Sequence, residues 1–305
     1  MTQTSSEPWP ALPYDAWRET CSTLHMWTQI VGKIKLELSP FLNEWWQVTL
    51  HQNSRGMTTG VIPWRGMTFE IDFDFIDHQL FINTSTGQVE RIALEPRSVA
   101  DFYHEILARL ASIGIEVKIN PMPTEVPDPV SCDVNHADCS YDAEYVNRWR
   151  RIQLQTELVM QHFRSPFVGK SSPIHFFWGS FDLNHTRFSG RKAPDMPGAP
   201  RFMQLAEDQE NFSIGFWPGN PNYTGQTLGA PAFFAYIFPA PDGFAAASVK
   251  PAQAYYHAAL GNFILRYDDV RHLPTPEDAI LEFYQSVYEA AANLAGWNRG
   301  ALERS

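Results

Sequence analysis

The sequence predicts an α+β fold made of two similar units, each with the element order α-β-β-β-β-α, and three observations lead to this prediction. Short segments of the first half recur in the same order in the second half. Apolar and polar residues alternate over several short runs, as in antiparallel strands that are joined by hairpins. Helical spacings begin and end each half, which predicts helices packed on one face of a mainly antiparallel sheet.

Three pairs of segments form the internal repeat. They are residues 31–33 and 168–170, which both read Val-Gly-Lys, residues 69–73 and 212–216, and residues 101–114 and 282–295. The preserved order predicts two units that are related by a pseudo-twofold axis. It also predicts that any ligand lies in the crevice between the two units.

A proline-rich stretch marks the boundary between the units. Residues 120–140 carry four prolines among acidic residues, and proline removes backbone donors and fixes the chain. We therefore expect a first unit at 1–119, a linker at 120–140 and a longer second unit at 141–305. The two units are expected to form one compact domain.

The first unit is predicted to contain four strands between two helices. Trp17, Leu24 and Trp27 recur at helical spacing, and Ser98 is a candidate N-cap for the second helix. Apolar residues, three Phe and Ile71, alternate with acidic residues over 69–75, which is the clearest strand pattern in the chain. The predicted elements are a helix at 14–31, strands at 45–52, 57–63, 69–75 and 80–83, and a helix at 98–113.

The second unit repeats this order with additional loops. Residues 173–183 are strongly apolar and predict a central strand. Pro276 stands where the first turn of a closing helix is expected. The predicted elements are helices at 143–163, 251–260 and 276–294, strands at 173–183, 211–217, 232–238 and 263–267, and loops at 188–200 and 219–229.

The composition excludes several classes of function. The formal net charge is −11 and no run of Lys and Arg interrupts it, so we expect no nucleic-acid partner. No apolar run reaches the roughly 20 residues that a membrane helix requires, and the N-terminal residues do not resemble a secretory signal. The three cysteines are too few for a disulfide framework. We therefore expect a cytoplasmic protein without a membrane partner.

The stretch 168–191 holds the densest set of chemically reactive side chains. His175 and Asp182 are the candidate catalytic residues, because histidine titrates near neutral pH and a carboxylate among apolar neighbours needs a partner. On one straight strand the two point to opposite faces, so they form one site only if the chain bends near Gly179. Two interpretations stay open: Arg187 or Arg191 forms a structural ion pair with Asp182, or the arginines bind an anion.

The repeat also suggests that cations from both units face one crevice. Lys33 and Arg55 of the first unit have counterparts in Lys170 and in Arg187 or Arg191 of the second. A basic pocket on an acidic chain attracts small anions, so an anionic ligand is predicted. The alternative is that both lysines follow helix ends, where a cation offsets the helix dipole.

Aromatic residues supply a second candidate surface. The chain has ten Trp, and Trp178 and Trp217 are the candidate ligand-binding members. Trp217 belongs to the turn 215–219 (Gly-Phe-Trp-Pro-Gly), which either walls a pocket or only shapes a loop. The alternative for any single Trp is packing in the core.

Two groups of residues have the chemistry of metal ligands, but neither has a recognised spacing. The first offers oxygen and imidazole ligands, or is a solvated strand face. The second offers three of the four ligands that structural zinc needs, or is two free thiols beside a surface histidine. Their members are Asp72, Asp74, Asp77 and His78, and Cys132, His136 and Cys139. We predict no metal site. No complete cofactor motif occurs either, so the sequence assigns no cofactor.

Several segments together resemble a bacterial family catalogued as domain of unknown function 5996. They are TLHMWTQIVGKIKL, FDFIDHQL, SPFVGKSSPIHFFWGSFDLNHTRFSGR, GFWPG, PAFFAYIFPAPDGF and YEAAANLAGWNR. The resemblance spans nearly the whole chain and implies a full-length family member, but it implies no established activity. Relatives typically read Ala-Val where this chain has Asn184 and His185, and they carry Ser-His-Glu where it has residues 208–210. A histidine of relatives is thus Gln209 here, so this member is altered if the family is enzymatic through that histidine.

These observations predict a small-molecule binding protein or enzyme whose site lies between the repeats. In this prediction Lys170, Arg187 and Arg191 bind the anion, Asp182 orients them, and His175 transfers protons. The alternative is a non-catalytic interaction module or a homodimer, in which aromatic residues serve a protein partner. An apolar patch outside the crevice favours the alternative, and a closed aromatic cavity favours a small molecule.

Overall fold

The computed structural model describes residues 7–222 and 224–304 of the chain. Within these ranges the α-helices are α1 (Tyr14–Leu38), α2 (Val99–Ser112), α3 (Ala143–Arg164), α4 (Arg201–Ala206), α5 (Tyr267–Val270), α6 (Pro276–Leu294) and α7 (Arg299–Leu302). The strands are β1 (His51–Gln52), β2 (Gly56–Thr58), β3 (Ile62–Trp64), β4 (Met67–Asp74), β5 (Gln79–Thr84), β6 (Val89–Ala93), β7 (His175–Phe177), β8 (Asp182–Lys192), β9 (Gln209–Trp217), β10 (Ala232–Phe238), β11 (Tyr255–His257) and β12 (Asn262–Arg266).

The strands form two antiparallel sheets, one from each half of the chain. Sheet one has the order β1-β2-β4-β5-β6, with β3 beside β4, and sheet two has the order β11-β12-β10-β9-β8-β7. Helices precede and follow the strands in both halves. The predicted α+β class is confirmed. Each described sheet contains six strands rather than the four expected. The predicted strands at 57–63 and 173–183 are each divided into two, and β6 and β11 form where the sequence predicts no strand.

The two sheets meet at their first strands. The backbone N–H of Leu50 donates to the carbonyl of Phe176 at 3.0 Å, and the N–H of Phe176 donates to the carbonyl of Leu50 at 2.8 Å. This antiparallel bridge joins the edge of sheet one that carries β1 to the edge of sheet two that carries β7. The pseudo-twofold axis and the unit boundaries remain predictions.

One of the three repeated segments differs in conformation between the halves. Gly32 and Lys33 lie inside α1, which continues to Leu38, whereas Gly169 and Lys170 follow the end of α3. The expectation that both lysines follow helix ends is therefore wrong for Lys33. The apolar stripe of α1 continues through Ile34, which is buried and extends the helix beyond the predicted end.

Helices α3 and α6 cover one face of sheet two. Phe212 of β9 packs against Phe163 of α3 and Tyr288 of α6, with ring centroids 6.4 and 5.4 Å apart. Tyr284 of α6 donates a hydrogen bond to the carbonyl of Gly215 at 3.0 Å. Because side chains alternate along each strand, the neighbouring residues point to the other face, away from these helices.

The predicted elements at 45–52 and 251–260 have another structure. Residues 45–52 do not form one strand, because a 3₁₀ segment (Asn43–Val48) contains Glu44 and Trp45 at φ values of 49° and 62°. Residues 251–260 do not form a helix but contain the edge strand β11, whose Tyr256 lies 5.3 Å from the Phe263 ring of β12. The helix at 276–294, with Pro276 in its first turn, and the strand at 232–238 are confirmed.

The predicted strand at 173–183 is a hairpin. Its chain reverses after β7, and Phe181 has a φ of +63° at the turn before β8. None of the helices in 7–222 and 224–304 has the length and apolar character needed to cross a bilayer.

Candidate functional site

A cavity of about 950 Å³ lies on the face of sheet two that α3 and α6 leave uncovered. Alternate residues of four strands form its floor, as the two-residue period of a strand requires. These residues are Asp182, Asn184, Thr186 and Phe188 of β8, Asn211, Ser213 and Trp217 of β9, Phe234 and Tyr236 of β10, and Asn262 and Ile264 of β12.

Segments from both halves form the walls of the cavity. The contributing parts are the end of α1, the 3₁₀ segment, the linker, the turn between β7 and β8, and α4 with the residue after it. Their lining residues include Leu36, Glu44, Trp45, Trp46, Val48, Thr124, Glu125, Phe177, Trp178, Ser180, Phe202, Ala206 and Glu207. The cavity therefore lies between the first half, the linker and the second half. Five of the thirteen wall residues named are aromatic.

Three of the lining carboxylates have no cationic partner. Among the described residues, Glu125, Asp182 and Glu207 form no ion pair with Lys, Arg or His, whereas Glu44 pairs with Lys170 at 2.6 Å. Unpaired carboxylates inside a protein are costly, because burial disfavours the charged form. Their presence on one cavity gives its interior an acidic character.

Asp182 is the most deeply placed of these carboxylates. Only 7% of the residue is exposed. Ser180 donates a hydrogen bond to its Oδ1, and no other described residue donates to its Oδ2. Burial raises the pKa of Asp182 from 3.8 to about 7, and the nearby charge of Glu125 adds to the shift. The side chain therefore changes its charge near neutral pH.

Glu125 and Glu207 approach the cavity from irregular segments. Glu125 has a φ of 57° and packs against Gly179, where an added Cβ would lie 2.4 Å from its Oε1. Its surface opens into the cavity, while the surrounding protein raises its pKa through desolvation. Burial also raises the pKa of Glu207, which accepts a hydrogen bond from the side chain of Asn211.

Backbone strain is concentrated around the cavity. Glu44, Trp45 and Glu125 line it and have positive φ values of 49°, 62° and 57°. Phe181, with a φ of +63°, directly precedes Asp182. Such conformations cost about 1–3 kcal/mol each for residues other than glycine, and they cluster at functional sites.

His25 and Gln29 of α1 hold the two loops that carry Glu125 and Asp182. The Nε2 of His25 lies 2.9 Å from the carbonyl of Gly179 in the β7–β8 turn. The amide of Gln29 donates to the carbonyl of Thr124 at 2.8 Å and accepts from its N–H at 2.8 Å. Burial lowers the pKa of His25 to about 4, so it is neutral at physiological pH. These contacts fix the acidic end of the cavity to the first helix.

Trp178 is held by a close contact with α1. Its Nε1 donates to the carbonyl of Val48 at 2.8 Å. The ring lies flat against Gly32, where a Cβ would come within 2.2 Å of the indole nitrogen. Glycine in mid-helix is normally unfavourable, so at this position the close approach of the ring requires it.

We expect Gly32→Ala to destabilise the protein by about 1–3 kcal/mol, because the new methyl group would displace the Trp178 ring. In an exposed helix the same change is stabilising by up to about 1 kcal/mol. Gly300→Ala in α7 is the matched control, since its Cβ would meet its first neighbour at 3.8 Å. Urea denaturation measures both variants. A Gly32→Ala variant as stable as the wild type would contradict the contact.

The structure brings three of the sequence-predicted residues to the cavity, namely Asp182, Trp178 and Trp217. His175 is paired with Asn184 across the hairpin, so the bend puts it on the same face as Asp182. The Trp46 ring, however, lies 5.8 Å from the His175 ring, and His175 does not line the cavity. Burial lowers the pKa of His175 to about 3, which makes it a poor base.

The predicted convergence of cations is wrong for the arginines. Arg187 lies on the opposite face of β8 from Asp182, where its guanidinium packs over Phe163 at 3.5 Å. Arg191 pairs with Glu210 at 2.6 Å and donates to carbonyls after the end of α6. Neither arginine pairs with Asp182, so the predicted structural ion pair is absent among the described residues as well.

Arg55 is also remote from the cavity. It lies in the turn between β1 and β2, where it bonds Asp74 and Asp77 at 2.5 and 2.6 Å.

The two predicted lysines lie behind the cavity wall. Lys170 is neutralised by Glu44 and packs over the Phe188 ring at 4.5 Å. Lys33 is buried and lies 5.7 Å from the centre of the Trp178 ring. Neither of them lines the cavity. No free cation therefore forms its described surface, and the basic pocket predicted from the repeat is wrong.

The described residues do not group three or more His, Cys, Asp or Glu side chains in a way that would hold a metal ion. Of the first candidate set, Asp74 and Asp77 bind Arg55. Of the second, Cys132 is buried, Cys139 is exposed and His136 bonds Ser98.

The model of a family described as "Family of unknown function (DUF5996)" matches residues 9–304. The chain belongs to this family. No curated protein matches the chain, and no solved structure does. The matched range contains every residue that lines the cavity, so the cavity is a feature of the DUF5996 region itself.

Glu44, Glu125 and Glu207 line the cavity of this DUF5996 chain, but the sequence does not identify them as candidate site residues. They come from a 3₁₀ segment, a linker and a helix end, and no local spacing connects them. The sequence does contain one indication that Arg187 does not face Asp182. Asp182 and Arg187 are five residues apart, so on one strand their side chains point to opposite faces.

Proposed function

We propose that the cavity binds a small organic cation, such as an amine, whose apolar part contacts the aromatic walls. The observation that supports this most directly is the set of three carboxylates, Glu125, Asp182 and Glu207, that face one cavity without a cationic partner among the described residues. A bound ammonium group would supply the missing positive charge. It would also form charge-assisted hydrogen bonds with the carboxylates.

The aromatic walls fit the same class of ligand. Ammonium groups bind the faces of Trp and Tyr, and their carbon substituents pack against the same rings. Trp45, Trp46, Trp178 and Trp217 all line the cavity, and Phe234 and Tyr236 form part of the floor. The tryptophans thus line a concave site, which favours a small molecule over a protein partner.

The expected charge of the ligand is therefore reversed from the one predicted by the sequence. An anion would meet three like charges and no free cation, and like charges disfavour binding. Asp182 adds a chemical possibility to binding, because a carboxyl group with a pKa of about 7 is suited to proton transfer near neutral pH. Asp182 replaces His175 as the candidate for proton transfer.

A matched pair of ligands tests this proposal. We expect phenethylamine to bind the protein at pH 8 at least about tenfold more tightly than 3-phenylpropionate, which has a similar shape and the opposite charge. Isothermal titration calorimetry measures both affinities, and 3-phenylpropanol is the neutral control. Tighter binding of the carboxylate, or equal binding of all three compounds, would refute the proposal.

A further inference from the structure

The carboxylates of the cavity lie at its two ends. Asp182 begins β8, and Glu125 packs beside it at the β7–β8 turn. Glu207 bonds Asn211, and Asn211 is paired with Phe188 six residues further along β8. With a rise of about 3.3 Å per residue, the two ends of the floor are roughly 20 Å apart along the strand. Burial raises the pKa of Tyr236 in the middle of the floor, and the charges of Glu207, Asp182 and Glu125 add to the shift, so Tyr236 lies within range of both ends.

The middle of the floor carries no charge. Across the three central strands it consists of the row Asn184, Gly215 and Phe234 and the row Thr186, Ser213 and Tyr236. Thr186 and Ser213 are hydrogen-bonded to each other at 2.8 Å. An added Cβ on Gly215 would come within 2.0 Å of the Phe234 ring, so this ring lies over the glycine. The central part is therefore uncharged, with two aromatic rings beside neutral polar groups.

The carboxylates differ in burial: Asp182 is buried, Glu207 is half-buried and Glu125 is exposed where it faces the cavity. Asp182 is more than nine-tenths buried, and its Oδ2 receives no hydrogen bond from another described residue. At the other end, the nearby cation Lys170 is already paired with Glu44 at 2.6 Å. Each end thus offers a carboxylate that no described cation neutralises.

Resting on the proposed function, we infer that the ligand is an elongated aliphatic diamine or polyamine that spans the cavity. One ammonium group binds Asp182 and Glu125, and another binds Glu207. The methylene chain between them lies over Phe234 and Tyr236. A carbon chain suits this middle section because it needs no ionic partner and gains from contact with aromatic rings.

Octane-1,8-diamine and octylamine separate this inference from the proposed function. We expect the wild-type protein to bind the diamine at least about tenfold more tightly than the monoamine in isothermal titration calorimetry at pH 8. Glu207→Gln should lower the affinity for the diamine to that for octylamine, and should change the affinity for octylamine less than about twofold. Glu116→Gln, at an exposed position outside the cavity, is the matched control and should change neither affinity.

The wild-type ratio of the two affinities does not depend on whether a variant folds. Equal affinities for diamine and monoamine would overturn the inference and leave amine binding in place. An equal loss of both affinities in Glu207→Gln would also overturn it, because Glu207 would then not act at a second ammonium group. If none of the three amines binds, namely octylamine, the diamine and phenethylamine, the proposed function is refuted as well.

Discussion

Replacing Arg187 with alanine is expected to lower the free energy of unfolding by about 3–5 kcal/mol. Arg187 is 1% exposed, and its guanidinium packs over the rings of Phe163, Tyr288 and Phe167 at 3.5, 4.2 and 4.9 Å. It also donates a hydrogen bond to the carbonyl of Phe163 at the end of α3. The alanine variant would leave a cavity among these rings and an unpaired buried carbonyl.

Two further variants identify the cause of this loss. Arg187→Met keeps most of the packed volume and should cost less than Arg187→Ala, since replacing a buried charge with an apolar side chain of similar size is often tolerated. Arg191→Ala removes an arginine whose side chain is 47% exposed and should cost about 1 kcal/mol or less. Urea denaturation gives all three values. An Arg187→Ala variant with wild-type stability and no ligand binding would contradict this explanation and indicate that Arg187 binds the ligand.

Replacing Asp182 with asparagine is expected to stabilise the protein at pH 8 by about 3–4 kcal/mol. The pKa of this buried carboxyl is about 7 in the folded protein and 3.8 in its ordinary state. At a pH between these two pKa values, Asp182 is ionised in the unfolded chain and still protonated in the folded protein. The stability of the wild type therefore falls as the pH rises from about 4 to about 7. Asparagine has the same shape and no charge, and it avoids this loss.

The gain from Asp182→Asn should therefore disappear at pH 4, where the carboxyl is protonated in the folded state. Denaturation curves at pH 8 and pH 4 measure this difference. Asp242→Asn removes an exposed carboxylate and should change the stability by less than about 0.5 kcal/mol at either pH. If Asp182→Asn is instead destabilising at pH 8, Asp182 serves the fold rather than a ligand.

A gain of this kind is typical of functional residues, because binding sites often retain groups that lower stability. The strained residues Glu44, Trp45 and Glu125 follow the same pattern. The fold holds these costly features together through local contacts, such as the bonds of Gln29 to the linker. The groups that would serve the proposed ligand site therefore lower the stability of the protein around the cavity.

Local patterns were sufficient to predict several of the regular elements. The hairpin of β4 and β5 alternates apolar and polar residues, and α2 and α6 have helical spacing and recognisable first turns. The Ser98 side chain accepts from the N–H of Asp101, as its predicted capping role requires. These elements were predictable because the information that specifies them lies within a few neighbouring residues.

The turn after β7 shows why other parts were not predictable. The apolar run around Gly179 reads as one strand, since the sequence does not reveal which residues pack against it. In the structure Phe181 takes a left-handed conformation and stacks on Trp149, with ring centroids 5.1 Å apart. This contact between residues distant in sequence supports the turn, and the turn puts Asp182 at the end of the cavity.

The sequence predicts the position of the candidate site better than its chemistry. Asp182, Trp178 and Trp217 were named from the sequence, and a crevice between the halves was expected. The sequence predicts the wrong charge for the site, because it does not show which partners Arg187 and Arg191 have in the fold. Glu210 and the aromatic residues around Arg187 occupy the two arginines, and these neighbours are brought there by the fold.

A crystal structure of the protein with phenethylamine bound would locate the amine. We expect the ammonium nitrogen to lie within hydrogen-bond distance of the Asp182 carboxylate, with the phenyl ring against the aromatic walls of the cavity. An amine bound at another surface, or a cavity that excludes amines and instead accepts 3-phenylpropionate in the same experiment, would contradict this expectation.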